Sequence, residues 1–163
     1  MTANDIFNGR KFWIILVLLY PPLLLLTAWK DLTYTGDEPN LLFYATVPEV
    51  GILGSSLLIY LLVKILRKPI GFLDILKIVF LTEFIFQVWE NLAKVVYYEV
   101  WKYPGLLWFL VFPLNLALIS WLFRRACGTS WALGIFLAII VSISGMVFGM
   151  LFASITGITT PGS

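Results

Sequence analysis

Five apolar runs, each about as long as a bilayer is thick, take up most of this 163-residue chain. They fall at about 12–29, 43–66, 73–98, 105–123 and 131–155. Roughly 20 apolar residues in a helix cross the hydrocarbon core, and backbone polar groups in lipid must bond within their own segment. The runs therefore predict an all-α integral membrane protein, a bundle of five transmembrane helices forming a single domain over residues 1–163. Charged residues make up 12% of the chain, about half the share in a soluble domain. The first run is not followed by a small-residue cleavage site, so it reads as a retained span rather than a signal peptide.

Breaker residues mark the connections: Gly36-Asp37-Glu38-Pro39-Asn40, Lys68-Pro69, Pro104-Gly105 and Cys127-Gly128-Thr129. Pro21-Pro22, Pro48 and Pro113 lie inside runs and predict kinks or local unwinding. Lys and Arg assign the two sides. Arg10, Lys11, Lys64, Arg67, Lys68, Lys77, Arg124 and Arg125 share the N-terminal side, against Lys30 and Lys102 opposite. By the positive-inside bias the N-terminus is cytoplasmic and, with five spans, the C-terminus is outside. The outer face is acidic, with Asp31, Asp37, Glu38 and Glu99, and the polar tail 156–163 projects from the membrane.

In the third run the apolar pattern is broken at every turn. Glu83, Gln87, Glu90 and Lys94 follow one another at i+4, i+3 and i+4, with Asn91 beside them. That spacing draws one stripe along a helix. A charge in hydrocarbon costs at least a few kcal/mol, so the stripe should face protein, a partner or a wet cavity. At about 1.5 Å of rise per residue, Glu90 and Glu49 of the antiparallel second span both sit about 7 Å toward the outer face. Asn115 of the fourth span comes level with Glu83. Two carboxylates at one depth cannot both ionise cheaply, and such a pair can hand on a proton. Trp89 stands beside Glu90, where an aromatic face stabilises a cation. The plainer alternative is a structural network: a Glu90–Lys94 ion pair and a Glu83–Gln87 hydrogen-bonding clamp between helices.

The chain has no histidine and one cysteine, Cys127. Imidazole-based metal sites, haem ligation, Ser-His-Asp triads and internal disulfides are excluded. There is no phosphate loop and no nucleic-acid-type basic stretch, so neither a metal nor another cofactor is expected. In the fifth run Gly134, Ala138 and Ser142, then Gly145, Gly149 and Ala153, recur at helical spacing. Small residues at these intervals let helices approach closely, within the bundle or in a homo-oligomer or complex.

Trp89-Glu90-Asn91, then Trp101-Lys102-Tyr103-Pro104, then Phe112-Pro113-Leu114-Asn115 resembles the small membrane-type lycopene cyclases. The same Trp-Glu pair followed by an intramembrane polar residue is similar to the membrane-integral terpene cyclases. The likeness covers about 85–118. It departs where the lycopene cyclases carry Glu-Glu and this chain has Asn115-Leu116, so Glu49 or Glu83 would supply the second acid. A weaker likeness joins Glu83-Phe84-Ile85-Phe86-Gln87 to the sterol isomerase and sigma-2-receptor-like family, without the histidine expected there.

What the resemblance implies is an acid-lined intramembrane pocket that binds an isoprenoid or related lipid and runs a cofactor-free, proton-initiated cyclisation or isomerisation. Glu90 would donate the proton and Glu49 or Glu83 accept it. Trp89, Gln87, Asn91, Lys94 and Asn115 would contact the substrate. Two other readings stay open: a non-catalytic small subunit of a larger membrane complex, and a proton or ion conductor along Glu83, Glu90 and Lys94.

Overall fold

The computed structural model describes residues 9–35, 40–96 and 104–158. Among them are five helices and no strand: α1 (Arg10–Thr35), α2 (Leu41–Ile65), α3 (Phe72–Val96), α4 (Pro104–Cys127) and α5 (Trp131–Thr156). They coincide with the five apolar runs to within a few residues, apart from six further residues at the end of α1. The helices are capped where the sequence provides caps. Asn40 and Ser130 accept from the amides of Phe43 and Leu133, each at 3.3 Å. The αL glycines Gly128 and Gly157 follow α4 and α5, the usual helix stop.

No unwinding occurs at the prolines. Pro21 and Pro22 lie within continuous α1, Pro48 within α2 and Pro113 within α4. Each removes one backbone donor and no more, a loss that membrane helices tolerate where neighbours pack around them.

Side-chain contacts fix the directions. Tyr20 meets Phe80, Thr27 meets Gln87 and Asn91, and Trp13 meets Lys77. These pairs are offset by a near-constant sixty-odd residues, so α1 and α3 run parallel. Val47 against Gly149 and Gly51 against Gly145 place α5 antiparallel to α2, and Ser120 against Gly134 together with Arg124 against Trp131 place it antiparallel to α4. Helices α2, α3, α4 and α5 close a ring, each packed on the next, while α1 lies outside it against α2 and α3.

Among the described residues, three helices, α1, α2 and α5, are long and apolar enough to cross a membrane. In α3 the apolar run is interrupted by Asp74, Lys77, Glu83, Glu90 and Lys94. The bundle's outer surface is lined by large apolar side chains such as Leu18, Leu57, Ile143 and Ile155, a pattern suited to lipid rather than water.

Burial is uneven along the bundle axis. Ile59, Val63, Ile75, Ile78, Leu122, Phe123, Leu137 and Ala138 are all at most 1% exposed. All belong to the half of the ring where α2 and α4 end and α3 and α5 begin, which is also the half bearing the basic residues. This half is a close-packed apolar plug. Polar side chains collect above it. Cys127, just beyond the fourth apolar run, is buried against the plug's edge, and burial pushes its thiol up to about 11, partly offset by the charge of Lys68. At pH 8 roughly one thiol in a thousand would then be ionised. Native protein is expected to resist maleimide until it is unfolded; rapid labelling of the folded protein would contradict the burial of Cys127.

Candidate functional site

The ring encloses a cavity of about 390 Å³ above the plug. All four ring helices line it: Gly51, Ile52 and Ser55 from α2, Val79, Thr82, Glu83 and Phe86 from α3, Phe112, Asn115 and Ile119 from α4, and Val141, Ser142, Gly145 and Met146 among others from α5. The walls are mostly apolar, and among the described residues Glu83 bears the sole ionisable side chain in them. Phe112, Met146 and Met150 line the cavity and are also 54%, 66% and 48% exposed. The cavity therefore opens sideways between α4 and α5. Next to the cavity α5 is tight against α4 near Gly134 and tight against α2 near Gly145 and Gly149.

Glu83 is held from behind by a chain of donors. Asn91 Nδ2 donates to Thr27 Oγ1 at 2.8 Å and to the Gln87 carbonyl at 2.9 Å. Thr27 Oγ1 lies 3.2 Å from Gln87 Oε1 and 3.0 Å from the Leu23 carbonyl, sharing its one proton between them. Gln87 Nε2 then donates to Glu83 Oε1 at 3.0 Å. The side-chain links from Asn91 through Thr27 and Gln87 run toward the carboxyl group and polarise one another in that direction, with the Leu23 and Gln87 carbonyls taking side branches. Thr27, Gln87 and Asn91 are 2%, 8% and 6% exposed, and this chain also ties α1 to the ring.

Four further buried polar atoms near this level have no hydrogen-bond partner: Tyr20 Oη, Glu49 Oε2, Asn91 Oδ1 and Asn115 Oδ1. Glu49 and Glu90 both lie within electrostatic reach of Glu83, and Glu83 and Glu49 within reach of Tyr20. Unpaired buried acceptors are uncommon and costly. Those of Asn115, in the cavity wall, and Glu49, one residue along α2 from Pro48 in the wall, lie at or beside the cavity.

The residues singled out from sequence thus take different places. Glu83 and Asn115 share the cavity wall. Gln87 and Asn91 form the support behind Glu83. Glu90 and Lys94 make an ion pair of 3.0 Å with side chains about one-fifth exposed, and neither lines the cavity. Trp89 is 42% exposed and also outside the lining; the rings that do line it are Phe86 and Phe112. Glu49 is close to Glu83 without being part of the wall. Tyr97, Tyr98, Glu99, Trp101, Lys102 and Tyr103 lie outside the described residues, as do Asp37 and Glu38 and the side chains of Trp108 and Phe109.

Sequence reasoning passed over Thr27 and Tyr20. Their signal was present: two hydroxyls seven residues apart, on one face of the otherwise apolar run 12–29. Among the described residues no cluster of acids or thiols could hold a metal ion. No known family model, characterised protein or solved structure matches the chain, so the reading rests on the site itself.

Proposed function

We propose that this protein is a five-span membrane protein, N-terminus cytoplasmic and C-terminus outside, that binds the end of an isoprenoid or related lipid in the ring cavity. On this reading it performs a cofactor-free, proton-initiated cyclisation or isomerisation there. The observation that carries the reading is a carboxyl group, Glu83, set in a mostly apolar cavity with a lateral opening to lipid. An apolar chain enters such a cavity without crossing water. At a water-sized share of about 30 Å³ per group, the volume admits at least a dozen methylene-sized groups. That is enough for one terminus of a long isoprenoid, with the remainder left in the bilayer.

In the mechanism Glu83 is the proton donor. The chain of donors behind it stabilises the carboxylate left after transfer, so the proton departs against a smaller electrostatic penalty. Phe86 and Phe112 present aromatic faces to the carbocation. Asn115 orients the reacting group, and Glu49, entering the cycle as the carboxylate and in electrostatic contact with Glu83, takes the proton that the carbocation loses on forming the product alkene and passes it back to the Glu83 carboxylate. General acid catalysis of this kind contributes about 10²–10⁴-fold.

The five-span topology is supported by the alternating directions of the helices. Because α3 and α4 complete a ring with α2 and α5, placing two ring helices across the membrane carries the other two with them. The charge bias sets the orientation. A reporter fused after Ser163 is expected to read as external; a cytoplasmic C-terminus would overturn the assignment. The apolar plug favours a dead-end pocket over a proton or ion conductor, since the polar groups do not continue through it.

The direct test is lipid extraction from the purified, monodisperse protein. A stoichiometric isoprenoid-class lipid supports the cavity reading. Loss of fold unless other chains co-purify would favour the small-subunit reading instead, with the lipid-facing side of α5 as the contact.

A further inference from the structure

We propose that the basic end of the bundle, centred on Arg67, binds the phosphate headgroup of an anionic phospholipid. Three helices in this chain finish on the same hydrogen-bonded turn. After α2, the amides of Arg67 and Lys68 donate to the carbonyls of Lys64 and Val63, both at 3.0 Å. After α4, the Thr129 amide donates to Arg124 at 3.2 Å, and after α5 the Ile158 amide donates to Ala153 at 3.0 Å. The motif needs one residue in the left-handed region, which glycine occupies without strain. Two of the three turns use glycine, Gly128 at φ 57° and Gly157 at φ 71°. The third uses Arg67 at φ 54°. A side chain kept at a position that strains it points to a use for that side chain.

The surroundings say what the use is. Arg10 and Lys11 open α1, Lys64 and Lys68 flank Arg67, Lys77 lies near the start of α3, and Arg124 and Arg125 close α4. Lys68 acts electrostatically on Cys127, so the α2–α3 connection lies close to the end of α4. Among the described residues the acid at this end is Asp74, 3.9 Å from Lys77, and no carboxylate pairs with Arg67. Helix ends account for part of this charge, since cations favour C-termini, but each terminus carries only about half an elementary charge. Arg67 lies past the end of its helix.

The ligand is a lipid rather than free phosphate because of what adjoins the cations. The rings of Tyr60 and Trp131 lie 5.4 and 4.9 Å from Lys64 and Arg124, as rings do at headgroup depth. Ile65 and Leu66, immediately before Arg67, are 75% and 42% exposed and offer apolar surface to acyl chains. The site lies at the opposite end of the plug from the cavity and does not depend on what the cavity binds.

The test uses the full chain in nanodiscs of phosphatidylcholine, with or without phosphatidylglycerol, read by native mass spectrometry and thermal unfolding. Wild-type protein is expected to retain phosphatidylglycerol in preference to phosphatidylcholine and to be stabilised by it. Arg67→Gly should be more stable than wild type in phosphatidylcholine alone, because the turn relaxes, yet hold phosphatidylglycerol about fivefold more weakly, the share of one basic residue near an anionic surface. Arg67→Lys should restore most of the retention. Wild-type-like retention by Arg67→Gly, or no preference in the wild type, overturns the proposal. If Arg67→Gly does not fold, Arg124→Gln decides: weakened retention supports the site and unchanged retention rejects it. Displacement of phosphatidylglycerol by millimolar inorganic phosphate would make this a soluble-phosphate site and reject the lipid assignment.

Discussion

Glu83→Gln is expected to abolish isoprenoid conversion, by at least about a hundredfold, while the protein remains folded. The amide keeps the shape of the carboxyl group, and its oxygen can still accept from Gln87 Nε2, now 3.0 Å from Glu83 Oε1. What is lost is an O–H that can leave as a proton. Glu90→Gln is the paired measurement. Glu90 carries the Trp-Glu resemblance, but it is committed to Lys94 at 3.0 Å and lies outside the cavity wall. Removing its charge should change turnover only a few-fold, and stability by no more than about 1 kcal/mol as for other partly exposed ion pairs. Both variants need thermal midpoints and lipid conversion or retention from the same preparations. Loss of activity in Glu90→Gln with Glu83→Gln intact would return the donor role to Glu90 and remove the cavity from the mechanism.

The contrast between these two acids shows where the sequence was legible. Periodicity placed Glu83, Gln87, Glu90 and Lys94 on one stripe, and all four lie on α3. A stripe on a helix shared by several neighbours is nonetheless divided among them. Successive positions at i+4 and i+3 rotate by some tens of degrees relative to one another. At about 100° per residue, Gln87 and Asn91 turn by roughly 40° and 80° from Glu83 and meet Thr27 of α1, whereas Glu90 stays within about 20° of Glu83 and is set apart by lying two turns further along, beyond the cavity wall. Depth along the axis could be estimated from rise per residue; azimuth could not, because it depends on which helices pack on α3. The parallel docking of α1, which gives Thr27 and Tyr20 their places, is a tertiary fact with no local signature. The cavity was equally hidden, since its walls come from all four ring helices and depend on how they pack. The five apolar runs, by contrast, needed only local hydropathy and breaker residues, and the helices match them closely.

Gly51→Val should prevent the bundle from assembling, and Gly51→Ala should already lower stability by about 1–3 kcal/mol, the usual cost of overpacking. A Cβ at Gly51 would lie 2.7 Å from the carbonyl oxygen of Gly145, a backbone atom that cannot rotate away. Relief requires α2 and α5 to separate, and Gly149 is held against Val47 one turn beyond, where a Cβ would come within 3.0 Å. The same contact seen from α5 is permissive. A Cβ at Gly145 would meet nothing closer than 3.9 Å, and an alanine there gains up to about 1 kcal/mol of helix propensity. Gly145→Ala is thus expected to be neutral or stabilising, although its glycine faces Gly51 directly. Gly71, whose Cβ would meet only Asp74 Oδ2 at 3.5 Å, supplies a control outside the helix contact. Thermal unfolding of the three alanine variants in detergent measures the asymmetry. Equal losses at Gly51 and Gly145 would mean that the two helices meet at a different rotation, and the cavity wall they share with Glu83 would have to be redrawn.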